Sequence, residues 1–173
     1  MAQGQPANGQ SGDSGAAAQQ LVINAQYIKD LSFESPRSPQ ILLQQPATPP
    51  TGDINVDVSV HAIGPENYEI VLTTKATTKT ENEPLFIIEV AYAAVVTIRN
   101  VPQEMLGAVL MVEIPRLIFP FARNVIAQIT RDGGFAPLML NPIDFAELAR
   151  RNAAAQAAHL PHPAADVRGP GNH

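Results

Sequence analysis

Residues Ile114 to Phe145 read IPRLIFPFARNVIAQITRDGGFAPLMLNPIDF, and no other stretch limits the possible folds as much. Leu117, Phe121, Val125 and Ile129 recur at helical spacing, which predicts an amphipathic helix. Asp132-Gly133-Gly134 stops it, with glycine supplying the left-handed backbone of a C-cap. FAPLMLNPIDF follows, apolar and punctuated by proline, too broken for the interior of a helix or strand. A segment both greasy and irregular needs cover. It must line a core, a subunit interface or a groove for apolar guests.

The chain has 173 residues, enough for one domain of ordinary size. Residues 1–20 are nearly all Ala, Gln, Gly, Asn and Ser, and residues 153–173 are rich in Ala, Pro and His. Neither end carries enough apolar area to offset an ordering entropy of roughly 1–2 kcal/mol per residue. Flexible tails are therefore expected at 1–20 and 153–173 around a folded domain at 21–152. Sixteen acids against eleven bases give a net charge of −5, and Arg150-Arg151 is the largest basic cluster. That is no phosphate-binding footprint, so nucleic acid is not an expected partner. The absence of cysteine removes disulfides and thiolate chemistry and fits a reducing compartment. The first residues lack a secretory pattern, and apolar runs fall short of the ~20 residues of a membrane span. A cytoplasmic chain that does not insert in a membrane is expected.

Alternation marks the first part of the chain. Asp30, Ser32 and Glu34 oppose Leu31 and Phe33, which predicts a short half-buried strand from Lys29. A connection from Ser35 to Gly52 holds five prolines and an apolar patch at Ile41-Leu42-Leu43. Connections this long are often functional. Ile54 to Val60 alternates cleanly, Tyr68 to Thr80 is rich in Thr and β-branched residues, and Leu85 to Arg99 is one bent strand or two. Gly64-Pro65-Glu66-Asn67 and Glu81-Asn82-Glu83-Pro84 read as turns, which favours antiparallel neighbours. Pro102-Gln103-Glu104 opens a helix that Pro115 and Pro120 break or kink before a second run to Arg131. Asn141-Pro142 reads as the N-cap and N1 of a last helix. Strands followed by helices predict an α+β fold, with helices on one face of an antiparallel sheet.

No catalytic constellation is legible, so the chain is not expected to be an enzyme, and neither a cofactor nor a metal is expected. His61 stands alone. His159 and His162 have a metal-like spacing, but they lie in the tail and Pro161 blocks helical presentation. Gly133-Gly134 follows a helix and lacks the Lys-Ser/Thr of a phosphate loop. Within Leu85 to Tyr92, Phe86, Ile88, Val90 and Tyr92 share one strand face, and Ile87, Glu89 and Ala91 share the other.

Several motifs resemble the SecB family of export chaperones. They are YIKDLSFESP at 27–36, the strand Phe86 to Val90, LIFPFAR at 117–123, and Gly134-Phe135-x-Pro-Leu-x-Leu-x-Pro-x-Asp-Phe145. The similarity spans roughly residues 21–150. The resemblance implies a four-stranded antiparallel sheet with helices packed on one face, assembled as a homotetramer, a dimer of dimers, that holds secretory precursor proteins unfolded without ATP and delivers them to the translocase motor SecA. It places Asp30, Glu34, Ile87 and Glu89 on an acidic surface for SecA. It places Phe86, Ile88, Val90 and Tyr92 at strand positions that affect assembly and client binding. The tail after Ala153 does not resemble the acidic tails of some relatives. Clients are expected in a groove whose walls are Ile41, Leu42 and Leu43 on one side and Phe135, Leu138, Leu140 and Phe145 on the other. The competing reading of these walls is buried core. Rival classes are a scaffold for folded partners and a small-molecule-binding domain, the latter short of convergent polar groups.

Overall fold

The computed structural model describes residues 18–43, 49–80 and 83–159. The turn at Glu81-Asn82, His162 and most of both expected tails lie outside the described residues. The strands are β1 (Gln20–Glu34), β2 (Thr51–Ala62), β3 (Asn67–Thr80) and β4 (Glu83–Arg99). They form one antiparallel sheet in the order β1-β4-β3-β2. Since β1 and β2 are the two edges, the chain between them must cross the end of the sheet. Neighbouring strands lie about 4.8 Å apart, so three such steps need a long connection. The Pro-rich segment supplies it. Ile41, in a 3-10 turn at Gln40–Leu43, is buried, and Ser35 Oγ donates to the Leu85 carbonyl at 3.2 Å.

β1 is twice as long as the alternation from Lys29 suggests. Its register shifts between Ile23 and Ala25 and again between Ile28 and Asp30. Each shift inserts one residue and reverses which parity faces the helices. Ile23 pairs with Val96, Ile28 with Tyr92 and Phe33 with Ile88, all on the helix side. No single period-two pattern spans the strand, so only its last third was legible. β4 is one continuous strand.

The helical layer starts with α1 (Gln103–Ala108), passes through a π turn (Val109–Glu113) and continues as α2 (Ile114–Asp132). Together they make one uninterrupted helix of 30 residues. The expected break at Pro115 and Pro120 does not occur. A proline ring crowds the carbonyl four residues back and leaves it without a donor. In the wider π turn the Ile114 amide donates to the Val109 carbonyl, five residues back, ahead of Pro115. By length and composition this helix is long and apolar enough to cross a bilayer, contrary to the expectation from the apolar runs. Only a third of its most apolar window is buried.

Ile114, Ile118, Ala122, Ile126 and Thr130 form the buried stripe, facing Ile70, Leu72, Ile88, Val90 and Val96 of the sheet. The expected stripe of Leu117, Phe121, Val125 and Ile129 is the neighbouring one. Leu117 and Phe121 are 48% and 51% exposed. The helix ends as expected, in a Schellman arrangement. The Phe135 amide donates to the Thr130 carbonyl at 3.1 Å, the Gly134 amide to Arg131 at 3.0 Å, and Gly134 has φ +89°. Gly133 is needed for a second reason: a Cβ there would sit 2.4 Å from Phe33.

The last helix, α3 (Phe145–His159), starts later than Asn141-Pro142 suggests. Asp144 is its cap, accepting from the Glu147 amide at 3.0 Å. This bond, with a second from the Ala146 amide, holds the Asp144 carboxyl below its ordinary range. α3 also runs past Ala153, where the tail was expected to begin. Phe145 meets Phe119 edge-on at 5.8 Å, and Asn152 donates to Asp57 on β2 at 3.1 Å.

Candidate functional site: an open sheet face and an edge trough

Among the described residues, one face of the sheet has no helix over it. Strand register decides which side chains share it. Asp30 pairs with Ala91, Ser32 with Glu89 and Glu34 with Ile87, so Asp30, Glu34, Ile87 and Glu89 lie together across β1 and β4. The second irregularity in β1 makes this possible. Tyr27, before it, and Asp30, after it, both point to the open face despite their odd spacing. Among the described residues Asp30 and Glu34 have no ion-pair partner. Glu89 lies 3.5 Å from the Lys75 ammonium of β3.

Other charges on this face are satisfied internally. Lys29 donates to both Glu69 oxygens, at 2.7 and 2.8 Å, and the Tyr27 hydroxyl also donates to Glu69. Both side chains reach β3 from β1, across a β4 that presents Ala91, Ala93 and Val95 there. The Lys29 bond, then the Tyr27 bond, holds the Glu69 carboxyl below its usual range, and the same contact raises the Tyr27 hydroxyl above its own. Lys79 pairs with Asp53 at 2.9 Å.

The opposite face of β4 is a different environment. Phe86, Ile88, Val90 and Tyr92 are buried beneath the helices, with Ile88 and Val90 fully enclosed. They were expected at positions affecting assembly and client binding. Any such effect must pass through packing, because Ile88 and Val90 expose no surface to a guest. The edge of Phe86 is the exception. Phe33, Phe86 and Phe135 form an aromatic cluster with ring centroids 4.9 to 6.3 Å apart. Beside it opens a cleft of about 250 Å³ lined by Pro50, Thr51, Gly52, Thr78, Leu85, Phe86 and residues 135–138.

The expected groove is thus partly found and partly displaced. Phe135 and Leu138 line the cleft together with Pro50 from the Pro-rich connection. Ile41, Leu140 and Phe145 do not line this cleft, and only Leu140 reaches a cleft at all, at the inner wall of the larger one described next. They are 7%, 2% and 1% exposed, which is core. Leu42 packs toward the helix end, where a Cβ on Gly134 would sit 3.1 Å from it, and Leu43 is 86% exposed. A larger cleft of about 580 Å³ runs on between β2 and α3, lined by Ile54 to Asp57, Leu140 to Ile143, Leu148 and Arg151. The two clefts have no lining residue in common, but both lie between β2 and the segment 135–143, the smaller at residues 135–138 and the larger at 140–143. β2 pairs only with β3, so backbone groups on its other edge lack strand partners. The β2 wall was missed because edge position depends on strand order, which no local pattern records.

One unpredicted side chain fixes the opposite wall. Thr130, fully buried, donates to the Ile126 carbonyl at 2.9 Å and accepts the Leu138 amide at 2.9 Å. It ties the proline-broken segment to α2.

A sheet with helices on one face, carboxylates on the open face and clefts along one edge has the layout of a binding protein. The family profile described as preprotein translocase subunit SecB matches residues 14–156. The "Protein-export protein SecB" of Paramagnetospirillum magneticum is 50% identical over 135 residues, covering 78% of this chain and 86% of that protein. That of Afipia carboxidovorans is 49% identical over 144 residues, covering 82% and 88%. Among solved structures, the SecB-like chaperone Rv1957 of Mycobacterium tuberculosis, in complex with a ChAD peptide from the Rv1956 HigA1 antitoxin, superposes with a TM-score of 0.59. It is 16% identical, and the match covers 71% of this chain and 90% of that one, so it speaks for the fold. The chain belongs to the SecB family of protein-export chaperones.

Proposed function

We propose that this protein is a cytoplasmic, ATP-independent holdase that binds unfolded secretory precursors and passes them to SecA. The observation that carries the reading is the trough along β2. Its walls are apolar beside Phe86 and Phe135 and mixed beyond, where Ile54, Val56 and Leu148 alternate with Asn55, Asp57 and Arg151; one wall is a strand edge without strand partners, and the other is irregular chain held by Thr130. An unfolded client offers apolar side chains and unpaired backbone over many residues, and a strand edge beside apolar pockets suits both. Such binding shifts a client's folding equilibrium by mass action and requires no nucleotide.

SecA docks on the open face through Asp30, Glu34, Ile87 and Glu89, acids around an apolar centre that suit a cationic segment. The protein assembles as a homotetramer, a dimer of dimers. Two separate apolar surfaces support this: Leu21, Val22 and Ile28 on edge strand β1, and Met105, Leu117 and Phe121 on the long helix, all substantially exposed. The test is dilution of a denatured precursor into buffer with and without the purified protein, nucleotide omitted. Aggregation should be suppressed at stoichiometric tetramer. Unchanged light scattering would refute the holdase reading.

A further inference from the structure

A single cation stands over the docking acids. Lys75 on β3 is the register partner of Glu89 on β4, and their charged groups lie 3.5 Å apart. The other side chains around Glu89 on this face are Ser32, with Asp30 and Glu34 to either side, on β1, Thr73 and Thr77 on β3, and Ile87 and Ala91 on its own strand. Lys29 and Lys79, the remaining lysines of this face, are engaged by Glu69 and Asp53. Lys75 is therefore the one ammonium group placed to neutralise a docking acid, while Asp30 and Glu34 stay free among the described residues.

We propose that Lys75 is a built-in competitor for Glu89, occupying it in the free chaperone and setting how tightly a cationic partner segment binds the open face. The inference rests on the docking reading given above. A partner's Lys or Arg that approaches Glu89 meets a carboxylate already paired, with a like charge beside it. The pair is half exposed on both sides, so it is weak enough to be displaced. The competitor tunes binding rather than blocking it, and an arginine that grips the carboxylate with two N–H groups displaces it better than a lysine.

The test is calorimetric titration of SecA against the full chain as wild type, Lys75→Gln and Glu89→Lys, at low and moderate salt. Lys75→Gln should bind roughly two- to fivefold more tightly at low salt, a gain of the size an exposed ion pair allows. The gain should shrink as salt screens the charges. Structural damage would weaken binding, so the sign of the change separates the two. If Lys75→Gln binds no more tightly while Glu89→Lys loses binding, the competitor role is wrong and the docking face stands. If Glu89→Lys binds as tightly as wild type, the docking face itself is wrong, and the competitor role falls with it.

Discussion

Thr130 shows how much one side chain can organise. It sits in the last turn of α2, where threonine hydroxyls often bond back to a carbonyl four residues earlier. Here the same oxygen also receives the Leu138 amide. Thr130→Val keeps the shape and removes the acceptor, which leaves a partly buried amide unpaired. The expected cost is about 1–3 kcal/mol, read from urea unfolding, with Thr130→Ser recovering most of it. An unchanged midpoint for the valine variant would show that water replaces the hydroxyl. Nothing in the spacing around Thr130 pointed to this role, because its partner lies beyond the Gly133-Gly134 reversal.

At the scale of elements, two helix boundaries went unread for different reasons. Pro115 and Pro120 look like breaks or kinks, but a π turn, whose i to i+5 bonding has no residue signature of its own, lies just ahead of Pro115, and α2 continues through Pro120. Asn141-Pro142 looks like a cap and first turn, yet Asp144 does the capping. That cap makes the start of α3 acid-sensitive. The native Asp144 carboxyl titrates below its unfolded value of about 3.9. Its contribution is therefore present above about pH 4 and is lost as pH falls through the lowered native value. Amides in the first turn of α3, Glu147 above all, should lose exchange protection in acid before the sheet does. Asp144→Asn should retain the cap and lose this pH dependence. Equal acid sensitivity in both proteins would assign the effect to another group.

At the scale of the molecule, the described residues leave a helix of 30 residues only partly covered. Met105, Leu117 and Phe121 lie on the side turned away from the sheet, and burying each large side chain is worth roughly 1.5–3 kcal/mol. Leu117→Gln combined with Phe121→Gln should therefore reduce the particle mass measured by light scattering from that of the proposed tetramer to a smaller species. The far-ultraviolet circular dichroism should stay unchanged, because neither side chain belongs to the buried stripe. A tetramer mass retained at micromolar concentration would place the assembly interface elsewhere.

Local pattern determined a good deal by itself. The alternation of Ile54 to Val60, the Thr-rich β3, the glycine stop at Gly133-Gly134 and the strands-then-helices order suffice for an antiparallel α+β fold. These signals involve residues within a few positions of one another, where backbone geometry dictates periodicity. The motifs at 27–36, 117–123 and 134–145 sufficed for the family. Tertiary structure decided which face of each pattern is the inside. Phe86, Ile88, Val90 and Tyr92 could have lined a binding surface, and Leu140 and Phe145 a groove wall. Their burial depends on helices joined to the sheet through distant parts of the chain. The pairing of Glu89 with Lys75, the gathering of Asp30 and Glu34 beside them, and the free edge of β2 depend on register and strand order. Those are set by the packing of the whole sheet, and a one-residue irregularity such as that between Ile28 and Asp30 reverses every face beyond it.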